Sequence, residues 1–123
     1  MTARCLCGGV EVTITPPLRD VVICHCSLCR RWGTLAGAYT AAPRDTVAVS
    51  GENLEWYVDD RGRRRGFCRA CGSSLMWDDG GETISISAGA LDEPTGLRTV
   101  LRIFTADAAG WEYVPDDVPH RDA

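Results

Sequence analysis

Apolar and polar residues alternate with a period of two along most of this chain. Val10-Glu11-Val12-Thr13-Ile14 alternates until Pro16-Pro17 stops it. Val21-Val22-Ile23 follows, and then a small apolar run from Leu35 to Ala41 that holds Tyr39 and ends before Pro43. Thr46 to Ser50 alternates again and stops at Gly51. Leu54 to Val58 leads into an Asp59-Asp60-Arg61-Gly62 turn, and the next run reaches Phe67. Ser74 to Trp77 ends at Asp78-Asp79-Gly80-Gly81, Thr83 to Ser87 alternates cleanly, and Val100 to Thr105 is the last long candidate, ahead of Trp111 and Tyr113. Successive side chains on a strand face opposite sides. This pattern, broken by turn residues every ~8–12 positions, therefore predicts an all-β domain. Ser27 to Trp32 departs from it and reads as a short helical turn, with Ser27 placed to cap it. With no repeat and no linker, the expectation is a single domain over residues 1–123, its acidic, proline-bearing tail from Pro115 loosely held.

Composition narrows the classes of function. A hydrophobic content of 45% fits a globular chain, and a formal charge of −4 argues against nucleic acid as a partner. All 13 cationic side chains are Arg. No apolar run approaches the roughly 18 residues of a membrane span. Met1-Thr2-Ala3-Arg4-Cys5 holds no apolar export segment, so a cytoplasmic location is expected.

Seven cysteines carry the chemistry. Cys5 and Cys7 form a C-x-C pair ahead of Gly8-Gly9, Cys24, Cys26 and Cys29 form the run C-H-C-S-L-C, and Cys68 and Cys71 form a C-x-x-C pair followed by Gly72. Disulfides are disfavoured, because the count is odd and near neighbours cannot cross-link distant parts of a fold. Reduced thiols in a cytosolic chain point to metal instead. Two pairs supply the four sulfurs of a closed tetrahedral zinc site, and three remaining sulfurs leave a coordination position open, as catalytic zinc sites do. On spacing alone the partition stays open, since Cys68 and Cys71 can equally join two members of the triplet.

The motifs C-L-C-G-G-V, C-H-C-S-L-C-R-R-W-G, G-F-C-R-A-C-G-S-S-L and A-G-A-L-D-E-P resemble the glutathione-dependent formaldehyde-activating enzyme family, grouped with the centromere protein V type of zinc protein. The resemblance runs from Cys5 to Tyr113 and takes in the family's terminal aromatic strand at Trp111. It implies the zinc-bound β-tent, built from strongly twisted antiparallel sheets with almost no helix. It also implies two zinc ions per chain, a structural one held by Cys5, Cys7, Cys68 and Cys71 and a catalytic one held by Cys24, Cys26 and Cys29. The implied reaction joins formaldehyde to glutathione, or a related thiol, as S-hydroxymethylglutathione, formally a carbon–sulfur lyase run in reverse. The partners are then a small thiol and an aldehyde. A non-catalytic zinc-stabilised binding module is the alternative class.

The donor set agrees with that chemistry. Three thiolates around a zinc dication leave a net charge of −1, a poor setting for water activation and a good one for a fourth, soft sulfur. The natural task is to present a thiolate to an electrophilic carbon. His25 lies inside the triplet. It reads first as a packed residue beside the metal, then as a general base for the incoming thiol, and last as a fourth ligand. Arg30 and Arg31 either hold a glutathione carboxylate or cover the short turn. Arg61, Arg63, Arg64 and Arg65 read as a solvated hairpin turn, or as a docking patch for a small carboxylate. Trp32, Tyr39, Trp56 and Trp77 are expected in the core.

Overall fold

The computed structural model describes residues 1–123, and the chain divides into two compact units, Met1–Arg19 with Thr40–Gly96 and Asp20–Tyr39 with Leu97–Ala123. The fold is mostly β, with one short α-helix. Strand β4 (Gly37–Pro43) carries the chain from the second unit into the first.

In the first unit β1 (Thr2–Arg4), β2 (Glu11–Ile14) and β5 (Val47–Ser50) form an antiparallel sheet in the order β1-β2-β5. Its register sets Ala3 opposite Val12 and Ile14 opposite Val47. The alternation seen in the sequence is realised on β2, where Val12 and Ile14 are buried and Thr13 is exposed. Strands β6 (Leu54–Val58), β7 (Arg64–Cys68), β8 (Ser74–Asp78) and β9 (Thr83–Ser87) follow as an antiparallel meander, with Met76 opposite Ile86. Val10, Val12, Ile14, Leu75, Met76, Ile84, Ile86 and Leu91 make the core of this unit. Each such side chain removed from water contributes on the order of 2 kcal/mol. Both cysteine pairs lie at turns, Cys5 and Cys7 between β1 and β2, and Cys68 at the end of β7 with Cys71 in the turn to β8.

The second unit is built around β3 (Val21–Cys24), which pairs antiparallel with β4 and parallel with β10 (Thr99–Ile103). That parallel pair is an addition to the antiparallel sheets expected. Strand β3 is half-buried through Val21, Val22 and Ile23 and delivers Cys24, buried, to the triplet. Helix α1 (Ser27–Gly33) follows at once. Its cap is Cys26 rather than Ser27: the Cys26 sulfur accepts the N–H of Cys29, and Ser27 is the first helical residue. Strand β10 stops short of Thr105 because Phe104 takes the left-handed conformation, φ 53°.

Other positions also differ from expectation. Trp111 and Tyr113 lie in a turn and irregular backbone, 68% and 85% exposed, and form no strand. Trp32, Tyr39, Trp56 and Trp77 are half-buried at the edge of the packing. Trp56 instead lies beneath the Arg64 guanidinium, 4.0 Å from its ring centre. The tail from Pro115 is tied down by main-chain bonds. Arg102 donates to the Pro119 carbonyl at 3.0 Å, and Arg121 donates back to Arg102 at 2.9 Å.

Candidate functional site

The four-cysteine cluster assembles Cys5, Cys7, Cys68 and Cys71, whose sulfurs lie within 4.8 Å of one another. Cys5 and Cys7 sulfurs stand 3.6 Å apart and those of Cys7 and Cys68 3.8 Å. A tetrahedron of zinc–sulfur bonds of about 2.3 Å sets its corners about 3.8 Å apart, so the donor set fits zinc. Local backbone makes this possible. Gly8 at φ +77° and Gly72 at φ +80° take the left-handed conformation that each turn requires and that a side chain resists. The Gly72 N–H closes the second turn on the Cys68 carbonyl at 2.7 Å.

Donors stabilise negative charge on these sulfurs. The Val10 N–H points at Cys5 Sγ at 3.2 Å. Ser73 Oγ accepts the Leu6 N–H at 2.8 Å and lies 3.2 Å from Cys71 Sγ, so one hydroxyl links the two turns. Cys71 is lowered to about 5 by the Ser73 hydroxyl and then by the Ser73 and Cys7 N–H groups. The Gly9 N–H pulls Cys7 down, but the thiols of Cys5, Cys71 and Cys68 raise it to about 11. Cys71 therefore ionises more readily than Cys7, and a bound cation favours the deprotonated sulfur.

The triplet repeats this logic with fewer donors. The sulfurs of Cys24, Cys26 and Cys29 lie within 4.8 Å of one another, and no His, Asp or Glu completes the group. Cys24 and Cys29 are buried and Cys26 is half-buried. Cys26 is pushed far below the ordinary thiol range, first by the thiols of Cys24 and Cys29 and then by the N–H groups of Cys29 and Leu28. Cys24 is pushed up by its bonds to Cys26 and Cys29. All seven cysteines are free of disulfides. The structure thus gathers both cysteine sets in the partition that the resemblance implied.

His25 stands outside the metal group. Its ring, 3% exposed, bonds through Nδ1 to the Glu112 carboxylate, which is 1% exposed. Arg102 Nη1 lies 3.2 Å from Nε2. A guanidinium only donates, so Nε2 accepts and Nδ1 carries the proton donated to Glu112. Both nitrogens are thereby occupied. Arg102 in turn holds Asp117 through Nε at 2.9 Å and Nη2 at 3.1 Å.

The arginines divide. Arg30 follows Cys29 directly, and its Nε is buried without a hydrogen-bond partner. Arg31 is exposed, and both lie in the last turn of α1, where cations favour the helix end. Arg63 pairs with Asp59 at 3.0 Å, while Arg64 and Arg44 both grip the buried Asp78, at 2.9 and 2.6 Å. Arg65 sits on β7 opposite Tyr57 and Trp77, in the unit of the four-cysteine cluster. Ser73, Arg102, Glu112 and Asp117 went unrecognised as site residues in the sequence. Ser73 follows the C-x-x-C-G turn closely enough to be suspected. Glu112 pairs with a residue 87 positions away and carries no local signal.

These features define a β protein with two cysteine clusters able to hold metal. The chain belongs to the glutathione-dependent formaldehyde-activating enzyme family, whose model matches residues 1–107. No curated protein matches it. No helix is long and apolar enough to cross a membrane.

Proposed function

We propose that this chain is a zinc-dependent carbon–sulfur lyase-type enzyme that joins a small thiol to an aldehyde, with glutathione and formaldehyde as substrates and S-hydroxymethylglutathione as product. Cys5, Cys7, Cys68 and Cys71 hold a structural zinc, and Cys24, Cys26 and Cys29 hold the catalytic one. The observation that carries the reading is the triplet itself, three gathered sulfurs with no fourth protein donor among them. Zinc bound there supplies a Lewis acid with a position that favours a thiol sulfur and lowers its pKa.

The chain's own residues do the rest. The Cys29 N–H steadies Cys26 Sγ at the head of α1. Arg30, directly after Cys29 on α1, carries a guanidinium that suits a carboxylate of the tripeptide. The reaction is an addition without redox change. The thiol loses its proton, its sulfur bonds to the carbonyl carbon, and the carbonyl π pair moves to oxygen, which takes one proton. A reducing compartment such as the cytoplasm keeps the thiols available for metal.

Exchange spectroscopy with ¹³C-formaldehyde and glutathione tests this. The zinc-loaded protein should accelerate interconversion with the adduct, and Cys26→Ser should return it to the uncatalysed rate. No acceleration by the zinc-loaded wild type would leave the non-catalytic binding module as the better reading.

A further inference from the structure

His25 is the one side chain within the C-H-C-S-L-C run that is buried yet contributes no sulfur, and it sits between Cys24 and Cys26. Three independent bonds fix it. Its main-chain N–H donates to the Ile103 carbonyl on β10 at 2.9 Å. Its Nδ1 reaches Glu112, and its Nε2 receives Arg102 at 3.2 Å. The partners are themselves fixed. Glu112 Oε2 accepts the Ala109 N–H at 3.2 Å, and the Arg102 fork closes on Asp117. Trp111 and Tyr113 on either side of Glu112 face solvent, so this acid alone turns inward.

We infer that Glu112, with Arg102 and Asp117, is a positioning device that sets the geometry of the three-cysteine metal site through His25. Holding both ring nitrogens and the main-chain N–H of His25 fixes the backbone from which the Cys24 and Cys26 sulfurs project. Hydrogen-bonding partners outside the ligand set commonly govern metal affinity in this way. Glu112 and Asp117 lie beyond residue 107, where the family match ends. Arg102 and His25 lie within the matched residues, so the device joins the two segments. The four-cysteine cluster lies in the other compact unit and does not share it.

The inference rests on the proposed metal at the triplet, and the test separates the two. The full chain is titrated with zinc against a competing chelator, and with cobalt while its absorption is recorded, for the wild type and three variants. Glu112→Ala removes the acceptor, Glu112→Gln keeps an acceptor oxygen, and Asp117→Ala releases Arg102 at a half-exposed position. Glu112→Ala should weaken the second equivalent about 10-fold or more and shift the cobalt bands of that equivalent, with the first unchanged. Asp117→Ala should do the same more weakly. Glu112→Gln, whose one amide oxygen can still accept from His25 but whose NH2 cannot accept the Ala109 N–H, should recover affinity in part. A general loss of stability would not spare the first equivalent or be rescued by Gln. Unchanged affinity and bands in both alanine variants would overturn the inference and leave the metal site standing. If Glu112→Ala does not fold, Asp117→Ala decides alone. A wild type that takes one equivalent only would overturn the metal reading and this inference together.

Discussion

At Cys26 the sulfur that belongs to the triplet also accepts the Cys29 N–H at 3.3 Å, in a place where helices ordinarily carry Ser, Thr, Asp or Asn. Serine there keeps the cap and loses the metal donor. Cys68 differs, for it is fully buried and faces Cys7 across 61 positions of chain. A metal clip across such a loop is worth about 4 kcal/mol by the closure-entropy relation, against about 2 for the short triplet loop. Cys68→Ser should therefore lower stability by about 4 kcal/mol, and Cys26→Ser by about 2 or less while retaining the fold. Thermal melts of the zinc-loaded variants decide it, and equal losses would show that the two sites are wrongly assigned. Asp78 makes a second case. Arg44 first, then the Gly80 N–H and Arg64, holds its carboxyl well below the usual range despite burial. A depressed folded value stabilises the fold above the unfolded pKa of about 3.9 and loses that effect as pH falls through the folded value. Asp78→Asn should cost about 2 kcal/mol at neutral pH, with the gap from wild type closing below about pH 4. A gap that stays constant to pH 3 would rule the ion pairs out as its source.

The strands themselves were largely legible, because each rests on local alternation that one buried face enforces. Val12 and Ile14 on β2, and Ile84 and Ile86 on β9, are buried as their period of two requires. Both cysteine pairs and the triplet were legible too, since ligand spacing within a turn is a local property. What escaped was set by contacts distant in sequence. Strand β1 is only Thr2–Arg4, too short to show a period, and exists because β2 pairs with it. The parallel partnership of β3 with β10, and the bonds that tie the tail to Arg102, join residues that no window along the chain holds together. The aromatic residues misled for a related reason. Trp111 and Tyr113 suggest burial by type, yet the inward position between them belongs to Glu112, whose carboxylate accepts from His25 Nδ1 while Arg102 donates to the other ring nitrogen.

At the scale of the molecule, each cysteine cluster lies wholly within one of the two compact units. The metals should accordingly leave separately. A graded chelator titration followed by circular dichroism should remove one equivalent with the fold retained and the second only on unfolding, because four thiolates hold an ion more tightly than three. Loss of both in one step would contradict independent sites. The central claim, that the triplet receives a thiol in an open position, is reached most directly by substituting cobalt for zinc and adding glutathione. A thiolate joining a three-sulfur site should intensify the sulfur-to-cobalt charge-transfer band saturably, whereas S-methylglutathione, which has no thiolate to offer, should leave it unchanged. A band that stays constant at millimolar glutathione, or that rises equally with the methylated compound, would contradict the account.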